Sequence, residues 1–157
     1  MAKKSSNAIH VLFRYVDDRK TKIDTVAAHQ EVAAKKGEVW LGKVGRPLAD
    51  QNIERIKSQI DAGILTYLYM AKRVGDKQYI GYQAKLFDIT KKAPTSGMPD
   101  YYKKNELLPQ INLWFHLGEL KQLSKNALAS LIIASTGKTC LETFPTSVIS
   151  LFLVKER

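Results

Sequence analysis

A strict two-residue alternation in residues 111–117 is the feature that most constrains the fold. In an extended chain, four apolar side chains fall on one side of this segment: Ile111, Leu113, Phe115 and Leu117. The opposite side carries Trp114 between Asn112 and His116. This pattern is typical of a β-strand with one face on the core, and it leaves a large aromatic side chain on the other face.

Trp40 repeats this arrangement in a shorter segment. Val39 and Leu41 share one side, whereas Trp40 is in phase with Glu38 and Gly42. An aromatic surface away from the core can act as a platform for base stacking, which contributes about 1–3 kcal/mol per base. Alternatively, either tryptophan lies buried under a helix on the second face of the sheet, as tryptophan is usually well buried.

The charge of the chain favours a polyanionic partner. Lys and Arg number 25 against 15 Asp and Glu, so the formal net charge is +10 and the pI is near 9.7. Such an excess is typical of nucleic-acid-binding domains, whose affinity falls as the salt concentration rises. Six cations near predicted loops or element ends are candidates for phosphate contacts: Lys43, Arg46, Lys91, Lys92, Lys103 and Lys104. A lysine-rich solvated surface is the alternative.

Periodicity and end signals predict the regular elements. Asp24 as an N-cap and Gly37 as a closing residue bound a helix over residues 24–36. Isoleucines three and four positions apart predict a second helix over residues 50–62. A short helical stretch is expected over residues 117–123. Strands are predicted over residues 9–16, 38–42, 65–72, 78–90, 111–117 and 148–154.

The order of these elements predicts the fold class. The short connection before residue 78 favours an antiparallel hairpin, and a regular βαβαβ rhythm is missing from the sequence. We therefore expect an α+β fold, with a small curved mixed or antiparallel β-barrel flanked by helices. The segment 91–110, with three of the prolines, is a long irregular loop of the kind that often carries function.

Length and hydropathy predict a single domain over residues 1–157. A chain of 157 residues, 45% of them hydrophobic, can bury one substantial core. No run approaches the roughly 20 apolar residues of a membrane span, so we expect a cytoplasmic protein without a membrane partner. Cys140 is the only cysteine, which excludes an internal disulfide.

Motifs of enzymes are largely missing from the sequence. Gly137-Lys138-Thr139 resembles the end of a phosphate-binding loop, but Ile132 stands where that loop needs its first glycine. The three histidines are far apart and have no metal-ligand spacing: His10, His29 and His116. We therefore expect a recognition domain and not an enzyme, with no metal and no cofactor.

A series of segments in the first half of the chain resembles a YTH domain. Residues 9–15, within the predicted first strand, begin the pattern, and the predicted helix and then Gly37-Glu38-Val39-Trp40 follow them. The paired segments 65–70 and 79–86 complete the pattern. The broader group is the PUA-like superfamily, which includes EVE domains and the N-terminal target-recognition domains of McrBC-type restriction systems. In this superfamily a small curved barrel reads a modified or flipped base.

The resemblance implies an aromatic cage for a methylated base, with Trp40 as one wall. Candidates for contact with the base are Trp40, Trp114, Gln30, Leu41, Tyr101 and Tyr102. Gln30 lies ten residues before Trp40, where the family carries a base-reading asparagine. The Asn-Pro dipeptide that precedes the family's second cage tryptophan is missing here, so Trp114, Tyr101 or Tyr102 are the candidates for the other wall.

The resemblance also implies a biological setting. The C-terminal third departs from eukaryotic YTH domains, which favours the prokaryotic restriction-associated branch. There the chain would recognise methylated double-stranded DNA, with 6-methyladenine favoured. It would be the recognition domain of a longer protein whose motor lies beyond Arg157, and it would act with a nuclease subunit.

Three alternatives stay open at this level. A PUA- or ASCH-like RNA-binding domain belongs to the same superfamily. A protein-interaction module would use the tryptophans with Tyr67, Tyr69 and Tyr82 as an apolar contact patch. A hydrolase or nuclease subunit would need a catalytic constellation from residues distant in sequence.

Overall fold

The computed structural model describes residues 3–18 and 20–157, and within them the chain forms eight strands and five α-helices. The strands are β1 (His10–Arg14), β2 (Val39–Val44), β3 (Tyr67–Gly75), β4 (Gln78–Thr90), β5 (Ile111–Leu117), β6 (Lys121–Gln122), β7 (Ile132–Ile133) and β8 (Leu151–Lys155). The helices are α1 (Thr25–Lys36), α2 (Asp50–Asp61), α3 (Tyr101–Lys104), α4 (Lys125–Ala129) and α5 (Cys140–Thr143). Residues 1, 2 and 19 of the predicted single domain lie outside the described part of the chain.

A mixed sheet joins the strands in the order β2-β5-β4-β3-β1-β8-β7, and β6 pairs with β4. The β1–β3 pair is parallel, whereas the other pairs are antiparallel. Strand β4 pairs with β3 along its first half and with β5 along its second half, and a register shift separates Leu86 from Asp88 in the latter pairing. Such irregularities bend a strand and curve its sheet. The predicted α+β class, with a mixed sheet flanked by helices, is confirmed.

Both faces of the sheet are covered, because successive strand residues point to opposite sides. Val11 of β1 packs into the main core beneath α1 and α2, while its neighbour Leu12 packs into a second cluster with α4 and α5. A third cluster lies between the 91–110 loop and one end of β5, and it contains Trp114. This third cluster is the part of the core that adjoins the candidate site.

Helix α1 forms as its end signals predict. The Asp24 carboxylate accepts from the Ala27 amide at 3.0 Å, and Gly37 closes the helix at a positive φ of 80°. The apolar stripe of α2 also buries as expected, with Ile53 and Ile56 in the main core. No helix in the described part of the chain has the length and apolar character needed to cross a membrane.

Two local predictions are wrong. Residues 117–123 are not helical: β5 ends at Leu117, and after a short bend β6 pairs with Tyr82 and Gln83 of β4. Ile111 does not share the main core with Leu113, because the register shift after Lys43 brings Ile111 over Gly42 and beside Trp114. Backbone pairing between distant strands therefore overrides the local pattern in both places.

Candidate nucleic-acid interface

A cleft of about 950 Å³ opens between the end of β1, the loop that leads to α1, strand β2 and helix α3. We call it the aromatic cleft. Its lining combines four aromatic rings with several polar and charged side chains. The rings are Phe13, Tyr15, Tyr101 and Tyr102, and the polar and charged groups include Arg14, Asp17, Lys20, Lys43, Asn105 and Gln110. Apolar walls with a few polar groups are typical of sites that bind small molecules or single bases.

Tyr102 is held in the wall by hydrogen bonds from its hydroxyl. The hydroxyl lies 2.8 Å from Nε2 of His29 and accepts from the Gly42 amide at 3.0 Å. His29 Nδ1 lies 2.6 Å from the Thr25 carbonyl, which can only accept, so Nδ1 carries the proton and Nε2 accepts from Tyr102. The 91–110 loop is thereby tied to α1 and to β2.

Burial keeps both of these groups uncharged. Burial lowers the pKa of His29 to about 4, although the hydrogen bond to the Thr25 carbonyl favours its charged form. Burial also raises the pKa of Tyr102 well above its usual range. At neutral pH this wall of the cleft is therefore aromatic and without net charge.

Asn105 leaves a polar group without a partner beside the cleft. Its Nδ2 is shielded from solvent and makes no hydrogen bond to any of the residues that the structure describes. An unsatisfied buried donor costs about 1–3 kcal/mol. Because Nδ2 is shielded in this geometry, a ligand in the cleft can relieve this cost only if the Asn105 side chain turns towards it.

The positive and negative charges of the side chains at the mouth of the cleft partly cancel one another. Burial would raise the pKa of Asp17, but hydrogen bonds from Lys72 and Thr25 outweigh it and the pKa is lowered. The carboxylate of Asp17 is thus ionised and paired with the Lys72 ammonium. Lys20 and Asp18 also line the mouth.

Lys43 lies in the lining but is only 5% exposed. Its ammonium donates to the Val44 carbonyl at 2.9 Å and lies 6.0 Å from the centre of the Phe13 ring. Burial lowers its pKa. Among the residues predicted for phosphate contact, Lys103 and Lys104 on α3 are exposed beside the lining residues Tyr102 and Asn105.

The remaining three predicted phosphate contacts lie farther along the chain from the cleft residues and, like Lys103 and Lys104, outside its lining. Arg46 is exposed after β2, and Lys92 is exposed at the end of β4. The neighbouring ammonium of Lys91 is paired with the carboxylate of Asp50 on α2. Of the six predicted phosphate contacts, the structure therefore places Lys43 in the lining of the cleft. Lys103 and Lys104 lie next to lining residues on α3, and the other three lie elsewhere.

Trp40 lies in a separate row of aromatic rings across β2, β5 and β4. Its indole stacks on the His116 ring with centroids 4.5 Å apart and planes 10° from parallel. The His116 ring meets the edge of Phe87, which is 43% exposed. The backbone amide of Trp40 also donates to the Gly97 carbonyl at 2.8 Å, which ties the 91–110 loop to β2. The indole is half-buried and does not line the aromatic cleft.

Three further candidates for contact with the base are either buried or already hydrogen-bonded within the protein. Trp114 and Leu41 have no exposed surface. The indole of Trp114 packs edge-on against Tyr102, with centroids 5.5 Å apart. Gln30 donates its side-chain amide to the Leu120 carbonyl at 2.9 Å. Of the six residues predicted to contact the base, the cleft therefore contains Tyr101 and Tyr102.

Sequence reasoning missed Phe13, Tyr15 and Asn105. The two aromatic residues fall in phase with Val11 on the first strand, so they read as core. Asn105 had no local signal beyond its position in a long loop. The proximity of residues 13–17 to residues 101–107 is a tertiary contact that no local pattern encodes.

The described residues hold no arrangement of three or more His, Cys, Asp or Glu side chains that could bind a metal ion. Of the three tyrosines predicted as an apolar patch for protein contact, Tyr69 is buried, and its hydroxyl donates to Glu156 at 2.7 Å. Tyr67 and Tyr82 are half-buried on the strands beside it.

A protein-family model described as Pua-like matches residues 11–136 of the chain. The matched span contains every segment that lines the aromatic cleft except Ser150 of the β8 approach. No curated protein and no solved structure matches the chain significantly.

Proposed function

The chain belongs to the Pua-like family, and we propose that it binds nucleic acid and receives one extruded, modified base in the aromatic cleft. Domains of this family are generally binding modules and not enzymes. The observation that carries the proposal is the convergence of aromatic rings with the unpartnered amide of Asn105 in one concave site. A net charge of +10 supports a nucleic acid as the partner.

The chemistry of the cleft suits a methylated base. Apolar and aromatic walls gain contact area with a ring and with a methyl group while they exclude water. Asn105 Nδ2 can donate to a ring nitrogen or carbonyl on the edge of the base. Extrusion costs a few kcal/mol of unstacking, which stacking and phosphate contacts must offset.

We favour 6-methyladenine in double-stranded DNA as the ligand. The likeness to YTH and EVE domains supports the methylated purine, and the acceptor nitrogens of adenine match the free amide donor. The likeness to McrBC-type recognition domains supports a role in a modification-dependent restriction system. A motor and a nuclease subunit would then act on the DNA that this chain selects.

In this proposal the tryptophans act behind the site. Trp114 supports the ring of Tyr102 from the interior, and Trp40 anchors the loop through Gly97. Direct contact with the base then falls to the half-buried rings of Tyr101 and Phe13, with the buried rings of Tyr102 and Tyr15 behind them. Lys103 and Lys104 would contact phosphates at its mouth.

The test is a fluorescence-anisotropy titration of matched DNA duplexes that carry adenine, 6-methyladenine, cytosine or 5-methylcytosine, with an RNA of the same sequence. We expect preference for the 6-methyladenine duplex, and we expect Asn105→Ala to reduce that preference without changing affinity for the unmodified duplex. Asn126→Ala, an exposed amide on α4, is the matched control.

Each outcome decides a separate point. Equal binding to all four duplexes overturns base recognition and leaves a general polyanion-binding surface. Preference for the RNA moves the proposal to an RNA-binding domain. Intact preference in Asn105→Ala removes the amide from the recognition of the base while the cleft itself stands.

A further inference from the structure

A second cleft, of about 530 Å³, lies directly beside the aromatic cleft. The two share the end of β1 and the approach to β8, because Arg14, Tyr15, Val16 and Ser150 line both. Val16 is 84% exposed at this shared rim. A chain that leaves the aromatic cleft over the rim therefore passes directly into the second cleft.

The second cleft carries cations on the β3–β4 hairpin. Arg73 and Lys77 line it, together with Asp76. The guanidinium of Arg73 lies 3.6 Å from the Asp76 carboxylate, but both side chains are largely exposed, so this pair is weak and exchangeable. Lys77 has no carboxylate within 4.0 Å among the described residues.

Arg14 has a different part in this cleft. Its two terminal nitrogens donate to the carbonyls of Phe144 and Ser147, each at 2.9 Å, and its guanidinium lies 5.1 Å from the centre of the Phe144 ring. These contacts fix the floor of the cleft. The cations that remain available to a ligand are those of the hairpin.

We propose that the second cleft binds the phosphodiester backbone of the strand whose base enters the aromatic cleft. This inference rests on the proposed function. An extruded nucleotide stays covalently attached to its neighbours, so the adjoining phosphates must cross the rim of the aromatic cleft. Arg73 and Lys77 are placed to neutralise them, and they read no base. Their contribution is therefore the same for modified and unmodified DNA.

The experiment measures the salt dependence of binding for Arg73→Gln/Lys77→Gln. The matched control is Lys125→Gln/Lys138→Gln, which removes the same charge from exposed lysines that line neither cleft. Both proteins are titrated with the methylated and the unmethylated duplex at several salt concentrations. Removal of one phosphate interaction makes the slope of log K against log salt shallower by about 0.9.

We expect this slope to be shallower by roughly 1 to 2 in the hairpin variant on both duplexes, and to change much less in the control. The ratio of affinities for methylated and unmethylated DNA should stay unchanged. An unchanged slope in the hairpin variant, or an equally shallow slope in the control, overturns the assignment of the second cleft.

The two proposals fail in different ways. If wild-type protein does not distinguish the duplexes but the hairpin variant has the shallower slope, base recognition fails and the second cleft stands as a backbone site. If the wild-type protein distinguishes them and the slope of the hairpin variant is unchanged, only the second cleft fails.

Discussion

The hydroxyl of Tyr102 donates to Nε2 of His29 inside the protein and thereby joins the wall of the aromatic cleft to helix α1. Both residues are buried, and they are 73 positions apart in the chain. The same hydroxyl accepts from the Gly42 amide, so it connects three separate segments. A buried group with this many partners holds a cleft open in one geometry before any ligand arrives.

Tyr102→Phe tests how much this hydroxyl stabilises the fold. The substitution leaves Nε2 of His29 and the Gly42 amide without their buried partner, at a cost of about 1–3 kcal/mol in the free energy of unfolding. Urea unfolding monitored by circular dichroism gives this quantity. Tyr79→Phe, a half-buried tyrosine in the second cleft, is the control and should change stability little. Equal effects of the two substitutions would contradict the role of the Tyr102 hydroxyl.

The lowered pKa of His29 predicts an acid-sensitive fold. Because burial lowers its pKa from 6.5 to about 4, the folded protein binds fewer protons than the unfolded chain between these values. The contribution of His29 to the free energy of unfolding is therefore fully present above about pH 6.5. It is lost as the pH drops towards 4, and the loss reaches about 3 kcal/mol.

The measurement compares urea unfolding of wild type and His29→Gln from about pH 7 to about pH 4.5. The variant should lose less stability over this range, whatever its stability at neutral pH. Burial also lowers the pKa of His10, against the raising effect of Glu156, and this group contributes in the same direction in both proteins. Identical pH slopes would show that His29 is not the acid-sensitive group.

Gly97 is predicted to be more sensitive to substitution than other glycines with positive φ. It has a φ of 85°, and a Cβ there would lie 3.2 Å from Cδ1 of Trp40. Gly137 has a φ of 75° with nothing within 4 Å of its Cβ position, so Gly137→Ala carries the backbone strain alone. That strain costs about 1–2 kcal/mol.

We expect Gly97→Ala to lower the unfolding free energy by more than Gly137→Ala does, because Trp40 or the loop must shift. Chemical denaturation of both variants measures the difference. Equal losses would mean that the Trp40 side chain relaxes without cost and does not anchor the 91–110 loop.

Local signals were sufficient for much of the fold. Asp24 and Gly37 mark the ends of α1, and the isoleucine spacing marks the buried face of α2. The pairing of strands that are distant in sequence could not be predicted from such local signals. The segment after Leu117 turns to pair with β4 although its composition favours a helix, because the open edge of β4 supplies backbone partners there.

The site residues likewise divide into those that local sequence patterns indicate and those that only tertiary contacts bring to the cleft. Tyr101 and Tyr102 were candidates for the second wall of the cage that the YTH resemblance implies, and the loop that carries them does reach the cleft. The alternation pattern placed Trp114 on the correct face of its strand, but it could not show that the 91–110 loop covers that face. Asn105 owes its position to the same loop, whose path is set by tertiary contacts such as the Tyr102–His29 bond.

Tyr101 and Trp40 are rival candidates for the ring that contacts the base. Trp40 is the wall that the YTH resemblance implies, whereas Tyr101 lines the cleft. We expect Tyr101→Ala to weaken binding of the 6-methyladenine duplex by about 5- to 150-fold, which corresponds to the 1–3 kcal/mol of one stacking contact. Binding of the unmodified duplex should change little, because phosphate contacts dominate it.

Trp40→Leu is the companion variant, since leucine removes the ring but keeps an apolar contact for Gly97. We expect it to leave the ratio of the two affinities nearly unchanged. Unmodified-duplex binding and the unfolding midpoint report whether each variant is folded. If Trp40→Leu abolishes the preference and Tyr101→Ala does not, the base binds against the Trp40–His116 stack, and the aromatic cleft is not its site.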